Sequence, residues 1–222
     1  MTATPETLAR ETSAKALGGL ADASGGIATV VLAICGLVNI VPTVMIGVAI
    51  VVFGAALLIQ GAAITAEYAR VAEADSAPIA TEPGADSAAA VFIIGAAGIV
   101  LGILSLLRID ENVIAPVAII SFGAAMLLGS NGVWQLKQLG LARQGGAVRP
   151  HLTGADVLES EVASGSAVAQ SLSGLAAIVL GILALSGLHD PTLVLVALLQ
   201  LGGTLLVTGG ALTATGMVAS RR

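Results

Sequence analysis

Charge is scarce in this chain. Only 10% of its 222 residues are Asp, Glu, Lys or Arg, where a soluble domain usually carries about 25%. Aromatics are scarcer still: three Phe, one Tyr and one Trp. With no Lys/Arg cluster to neutralise phosphates and few rings for base stacking, nucleic acid is not an expected partner. Cys35 is the single cysteine, so an intramolecular disulfide is excluded, and the thiol reads as a small apolar side chain. Motifs of chemistry are absent too. There is no HExxH, no zinc-ligand cluster, no phosphate loop and no dinucleotide fingerprint. The serines around Ser164 and Ser166 lack a base at recognisable spacing. The expectation is a protein that is not an enzyme and uses no cofactor or metal.

The missing charges are missing in blocks. None occurs from Ala23 to Ala66, Ser87 to Leu107, Asn112 to Leu136, Val162 to Leu188 or Pro191 to Ser220. Runs of about 20 apolar residues cross a hydrocarbon core of about 30 Å. The first block is twice that length, and Asn39 and Pro42 divide it. Six spans are predicted, near 22–39, 43–65, 88–107, 113–135, 168–187 and 192–216. The helices are apolar all round, unlike the surface helices of a soluble bundle. The lipid bilayer is therefore the expected surrounding.

One hairpin is written three times. The stretch Gly26 to Ile34 recurs as Gly95 to Ile103 and as Gly174 to Ile182, at offsets of 69 and 79 residues. The copies continue to Phe53-Gly54, Phe122-Gly123 and Leu201-Gly202 at the same offsets. The second and third copies agree at nine of the twelve positions from Gly95 and Gly174. Such a repeat means one supersecondary unit used several times. The predicted fold is all-α, with six transmembrane helices as three repeated helical hairpins. The organisation is 1–22 N-terminal segment, 23–66 first hairpin, 67–87 acidic connector, 88–136 second hairpin, 137–165 charged connector, and 166–222 third hairpin and C-terminus. Thr4-Pro5-Glu6 reads as a helix start, with a short helix through Leu17. Residues 67–87 begin as a continuation of the second helix, and the part after Thr153 reads as helical. No cleavable signal peptide is expected, because charged residues precede an apolar run that enters its own hairpin.

Six spans place both termini and both long connectors on one side. That side holds eight of nine bases, and Arg108 alone lies opposite. The positive-inside rule counts Lys and Arg, so both termini are expected to be cytoplasmic, in a cell (inner or plasma) membrane. Tyr68 and Trp134 fall at the cytoplasmic ends of the second and fourth spans and read as interface anchors.

Small residues recur at helical spacing. Gly98 and Gly102 form a direct pair, with counterparts Thr29 and Ala33, and Ala177 and Gly181. The second helices carry Gly54 with Gly61, Gly123 with Ser130, and Gly202 with Gly209, seven apart and so on one stripe. In lipid, small residues let backbones approach and gain dispersion contact. Sequence leaves open whether these faces meet within one chain or between chains. A homo-oligomer or a larger membrane complex is accordingly among the expected partners.

No ionisable residue is expected deep in a span, which argues against ion-coupled transport. The intramembrane polar candidates are Gln60, Asn131, Gln135, Gln170 and Gln200, and Gln200 lies nearest the centre of its span. Interhelical hydrogen bonding is its simplest role; a pore for a neutral solute is the alternative. In the short outer turns, Asp110 and Glu111 align with His189 and Asp190. Acidification would make both turns less negative, so any pH response is expected there. Ordinary hydrated caps are the plainer reading.

The repeated pattern resembles the HdeD-like family of small membrane proteins. Its carriers are Gly95 through Leu106, Gly174 through Leu185, the Asp190-Pro191 turn, and Leu201 through Gly210. The resemblance implies short repeated hairpins and a link to acid resistance. It implies no catalytic residues. The long charged connectors and the scarcity of aromatics at helix ends depart from the family pattern. Three functions follow as expectations: a packing or scaffolding protein in stress response, a facilitator for a small neutral solute, or an accessory subunit of a larger complex.

Overall fold

The computed structural model describes residues 5–75, 85–143, 154–187 and 191–219, with side chains for 19–63, 65–66, 89–110, 112–130, 165, 167–187 and 191–210. Six helices follow one another: α1 Pro5–Leu37, α2 Pro42–Asp75, α3 Ala85–Leu106, α4 Glu111–Arg143, α5 Gly154–Leu185 and α6 Pro191–Ala219. Among the described residues there is no strand. Each helix contains an apolar stretch long enough to cross a bilayer: Gly19–Leu37, Pro42–Ala63, Ala89–Leu106, Asn112–Ser130, Ala167–Leu185 and Pro191–Gly210. At about 1.5 Å per residue, even the shortest reaches about 27 Å. The protein is an all-α membrane protein of three hairpins.

Most helices overrun their spans at the connector end. α2 continues to Asp75, α4 to Arg143, and α5 begins at Gly154. The expected short N-terminal helix is not a separate element, because α1 is continuous from Pro5 to Leu37. Ala14, Lys15, Ala16 and Leu17 are good helix formers and no proline follows Pro5 in this helix. The helix runs on through Gly18 and Gly19 into the span in spite of their low helix propensity.

The first two turns between paired helices are built alike. Asn39 N–H donates to the Gly36 carbonyl at 3.0 Å and Ile40 N–H to the Cys35 carbonyl at 3.1 Å. Arg108 N–H and Ile109 N–H donate in the same way to Ser105 (3.0 Å) and Leu104 (3.2 Å). This crossed pair is a Schellman cap, which requires a left-handed residue after the helix. Asn39 has φ 67°, Arg108 φ 58° and Gly187 φ 106°. The three stand at one repeat position, and only the third uses the residue that costs least there. Val41 (φ 43°) and Asp110 (φ 47°) are also left-handed, and their carbonyls accept the first bonds of α2 and α4.

The hairpins close into a ring. The closest helix pairs are not the covalent hairpins but α2·α3, α4·α5 and α1·α6. In each, the first helix of one hairpin lies on the second helix of another. The weaker contacts α2·α4, α2·α6 and α4·α6 bring the three second helices together at the centre. Burial follows this order: 44%, 50% and 50% of the span positions are buried in α2, α4 and α6, against 28%, 28% and 33% in α1, α3 and α5. α2, α4 and α6 are therefore the inner helices.

Equivalent residues stack in layers along the axis. Ile46, Ala115 and Val194 form one, Ile50, Ile119 and Leu198 the next, then Phe53, Phe122 and Leu201, then Leu57, Met126 and Leu205. None of these is more than 5% exposed. The outer helices turn the other way. Val31, Val100 and Val179, with Ile34, Ile103 and Ile182, are identical across the repeats and about half exposed. On a soluble protein such stripes would be a liability; here they face lipid.

Candidate functional site: the three seams and the polar end of the bundle

The small residues lie where helices of different hairpins cross. A β-carbon built on Gly54 would meet the Gly95 carbonyl oxygen at 2.9 Å, and one on Gly95 would meet the Gly54 carbonyl oxygen at 2.9 Å. Gly123 and Gly174 stand in the same mutual relation, at 2.5 and 2.6 Å, and so do Gly202 and Gly26, at 3.1 and 2.7 Å. Three seams thus repeat one crossing. The faces meet within the chain, between hairpins.

The rest of each stripe continues the seam. Gly61 lies against the Phe92 backbone, and Gly209 against Ala23 and the Gly19 carbonyl. Ser130 occupies the same position in the second hairpin, and there the contact is polar: Ser171 Oγ donates to Ser130 Oγ at 2.9 Å. Gly102 packs on Val51 and the Gly47 carbonyl, Gly181 on Ile120 and the Pro116 carbonyl. Gly98 receives the edge of the Phe122 ring, and Ala177 is fully buried. Sequence reasoning named one side of each crossing and passed over Gly26, Gly95 and Gly174 as packing residues. Their signal was present: each opens its repeat.

Gln200 is half-buried, and its carbonyl accepts from Thr204 Oγ1 at 3.0 Å. Its neighbours Leu198 and Leu201 fill the axis with no accessible surface. Asp110 is exposed in its turn, and Glu111 starts α4. The Glu111 side chain, His189 and Asp190 lie outside the described residues, as do the side chains of Tyr68 and Trp134.

Polar groups collect at the connector end of the spans. Gln170, Ser173 and Thr208 are buried, and the Ser130–Ser171 pair lies at the same end of its spans. Thr208 Oγ1 is satisfied by the Thr204 and Leu205 carbonyls at 3.0 and 3.2 Å. Thr29 Oγ1 donates to the Gly25 carbonyl at 2.8 Å. Ser173 Oγ is buried without a hydrogen-bond partner.

Asp22 is the residue that sequence reasoning missed. The first predicted span begins near residue 22, at the membrane edge, where an acid is ordinarily hydrated. Asp22 is instead 3% exposed, and its Oδ1 has no hydrogen-bond partner. The glycine-rich crossing explains this, because Gly209 brings α6 against the Asp22 β-carbon. Among the described residues no three His, Cys, Asp or Glu side chains gather into a metal site.

No protein-family model, no curated protein and no solved structure matches the chain. What the fold and the seams define is a class: a multi-pass membrane bundle closed by glycine crossings around a filled axis.

Proposed function

We propose that the protein is a non-enzymatic membrane scaffold, a compact bundle that works by packing within the bilayer, in a stress-response setting such as the HdeD-like resemblance implies. Both termini and both long connectors face the cytoplasm in this reading. The observation that carries it is the filled axis. Phe53, Phe122, Ile50, Ile119, Leu198, Leu201 and Leu205 have 0% accessible surface. A water-filled path beside them would leave area on at least some of these side chains.

The test is solute flux together with assembly mass. Reconstituted vesicles should equilibrate water, glycerol and urea no faster than empty ones. Faster equilibration in a saturable, protein-dependent manner would overturn the scaffold reading in favour of a facilitator for a neutral solute.

A second reading has its own support. α2 and α4 run on to Asp75 and Arg143, and α5 starts at Gly154, all well beyond the spans on the connector side. Helical extensions on one side of the membrane suit docking to a cytoplasmic partner, as an accessory subunit requires. Mild solubilisation then yields a complex with other chains, and a bundle free of them speaks against it.

A further inference from the structure

The three seams share one design, and one buried position sets the α1·α6 seam apart by charge. Residues 22, 91 and 170 are equivalent by the repeat offsets, and they are Asp22, Val91 and Gln170. All three are buried. Val91 is apolar and Gln170 is neutral, so only the α1·α6 seam holds an acid. The Asp22 Oδ1 atom is buried with no hydrogen-bond partner. One turn away on its own helix lie Gly18, Gly19, Gly25 and Gly26, which carry no side chain to donate to it. Across the seam lies Gly209, which has none either. A buried carboxylate with an unsatisfied oxygen costs more than a neutral group at that place.

The same seam is distinguished by connectivity. The α2·α3 and α4·α5 seams join helices consecutive in the chain, so a connector holds each pair together. The α1·α6 seam joins the first helix to the last, with no connector between them. The buried defect and the missing tether coincide.

We propose that the ring opens laterally at the α1·α6 seam, and that Asp22 is the residue that makes this seam labile. Asp22 is three residues inside the span that begins at Gly19. Parting of α1 from α6 at this end gives its carboxylate access to interfacial water, and the glycine-lined faces of both helices then open to the bilayer.

Thiol labelling of two equivalent buried positions tests this. Thr29 and Ala177 both have 0% accessible surface and occupy the same repeat position in the α1·α6 and α4·α5 seams. In a Cys35→Ser background, Thr29→Cys should react with N-ethylmaleimide about tenfold faster than Ala177→Cys, because an unsatisfied buried carboxylate costs more than the neutral Ser173 hydroxyl that lacks a partner on α5. Asp22→Val, which copies Val91, should slow Thr29→Cys to the Ala177→Cys rate. The nearly isosteric Asp22→Asn should slow it as well, and covers the case in which valine disturbs folding. Equal rates for the two cysteines, or a Thr29→Cys rate indifferent to both Asp22 variants, overturn the proposal.

Discussion

The rings of Phe53 and Phe122 meet at the bundle centre with centroids 4.8 Å apart and planes tilted by 49°. Such tilted pairs are favourable beyond the area they bury. Leu201 occupies the equivalent place in the third repeat, so the layer is two rings and one aliphatic side chain. Phe122 also covers Gly98 of α3. Phe122→Ala removes an axis contact and a seam contact at once, and should destabilise the bundle by about 3–5 kcal/mol. Reversible unfolding in mixed micelles measures it. A loss under about 1 kcal/mol would show that the layer collapses around the gap.

The glycines divide into two groups with opposite expectations. Gly26, Gly95 and Gly174 sit against backbone atoms at 2.5–2.9 Å from a built β-carbon, while Gly203 and Gly210 meet nothing within 4 Å. Alanine at any of the first three forces backbones apart and should cost about 1–3 kcal/mol. Gly203→Ala should be neutral or slightly stabilising, since alanine is the better helix former. Thermal stability of the four variants in one detergent decides it, and the ordering matters more than any single value.

Much of the fold was legible in the sequence because the membrane leaves few options. Charge-free runs, two turn prolines and a triple repeat specify six helices, since unpaired backbone groups are not tolerated in hydrocarbon. Helix ends were less legible. Hydropathy marks the bilayer boundary, but the helices of α2 and α4 continue past it, because nothing in their sequence stops them. Whether Gly54 and Gly202 serve one chain or two was closed to sequence. Small-residue stripes look alike in both cases, and only the ring places Gly202 against Gly26. Asp22 stands at the edge of the predicted first span, and its burial depends on the close approach of α6.

The hydroxyl pair in the α4·α5 seam is a smaller effect. Ser171 Oγ also reaches the Ala167 carbonyl at 2.9 Å, so its proton has two acceptors. Ser171→Ala should therefore cost only about 0.6 kcal/mol, the average for interhelical hydrogen bonds in membranes. A loss above about 2 kcal/mol would mean that the pair anchors a wider polar network than these two hydroxyls.

Among the described residues, the first turn holds the one β-branched side chain at positive φ. Val41 is β-branched yet holds φ 43°, a region that costs an ordinary L-residue roughly 1–2 kcal/mol. Glycine removes that cost, and its greater freedom in the unfolded chain gives back roughly 0.5–1 kcal/mol. Val41→Gly should consequently stabilise the bundle by up to about 1 kcal/mol. Val41 is also exposed at the turn, so little packing is lost. Destabilisation in the same unfolding assay would show that the valine side chain contributes at the interface.

Orientation follows from the basic residues and is independent of the packing. Eight of nine Lys and Arg residues fall on the side of the termini and connectors, and that side should be cytoplasmic. In a Cys35→Ser background, Ser13→Cys reports one side and Ile109→Cys the other. Ile109 is exposed in the second outer turn. A membrane-impermeant maleimide added to intact cells should label Ile109→Cys and spare Ser13→Cys until the membrane is permeabilised. The reverse pattern would invert the topology. It would also carry the helical extensions of α2, α4 and α5 to the outside and end the reading of those extensions as docking elements for a cytoplasmic partner.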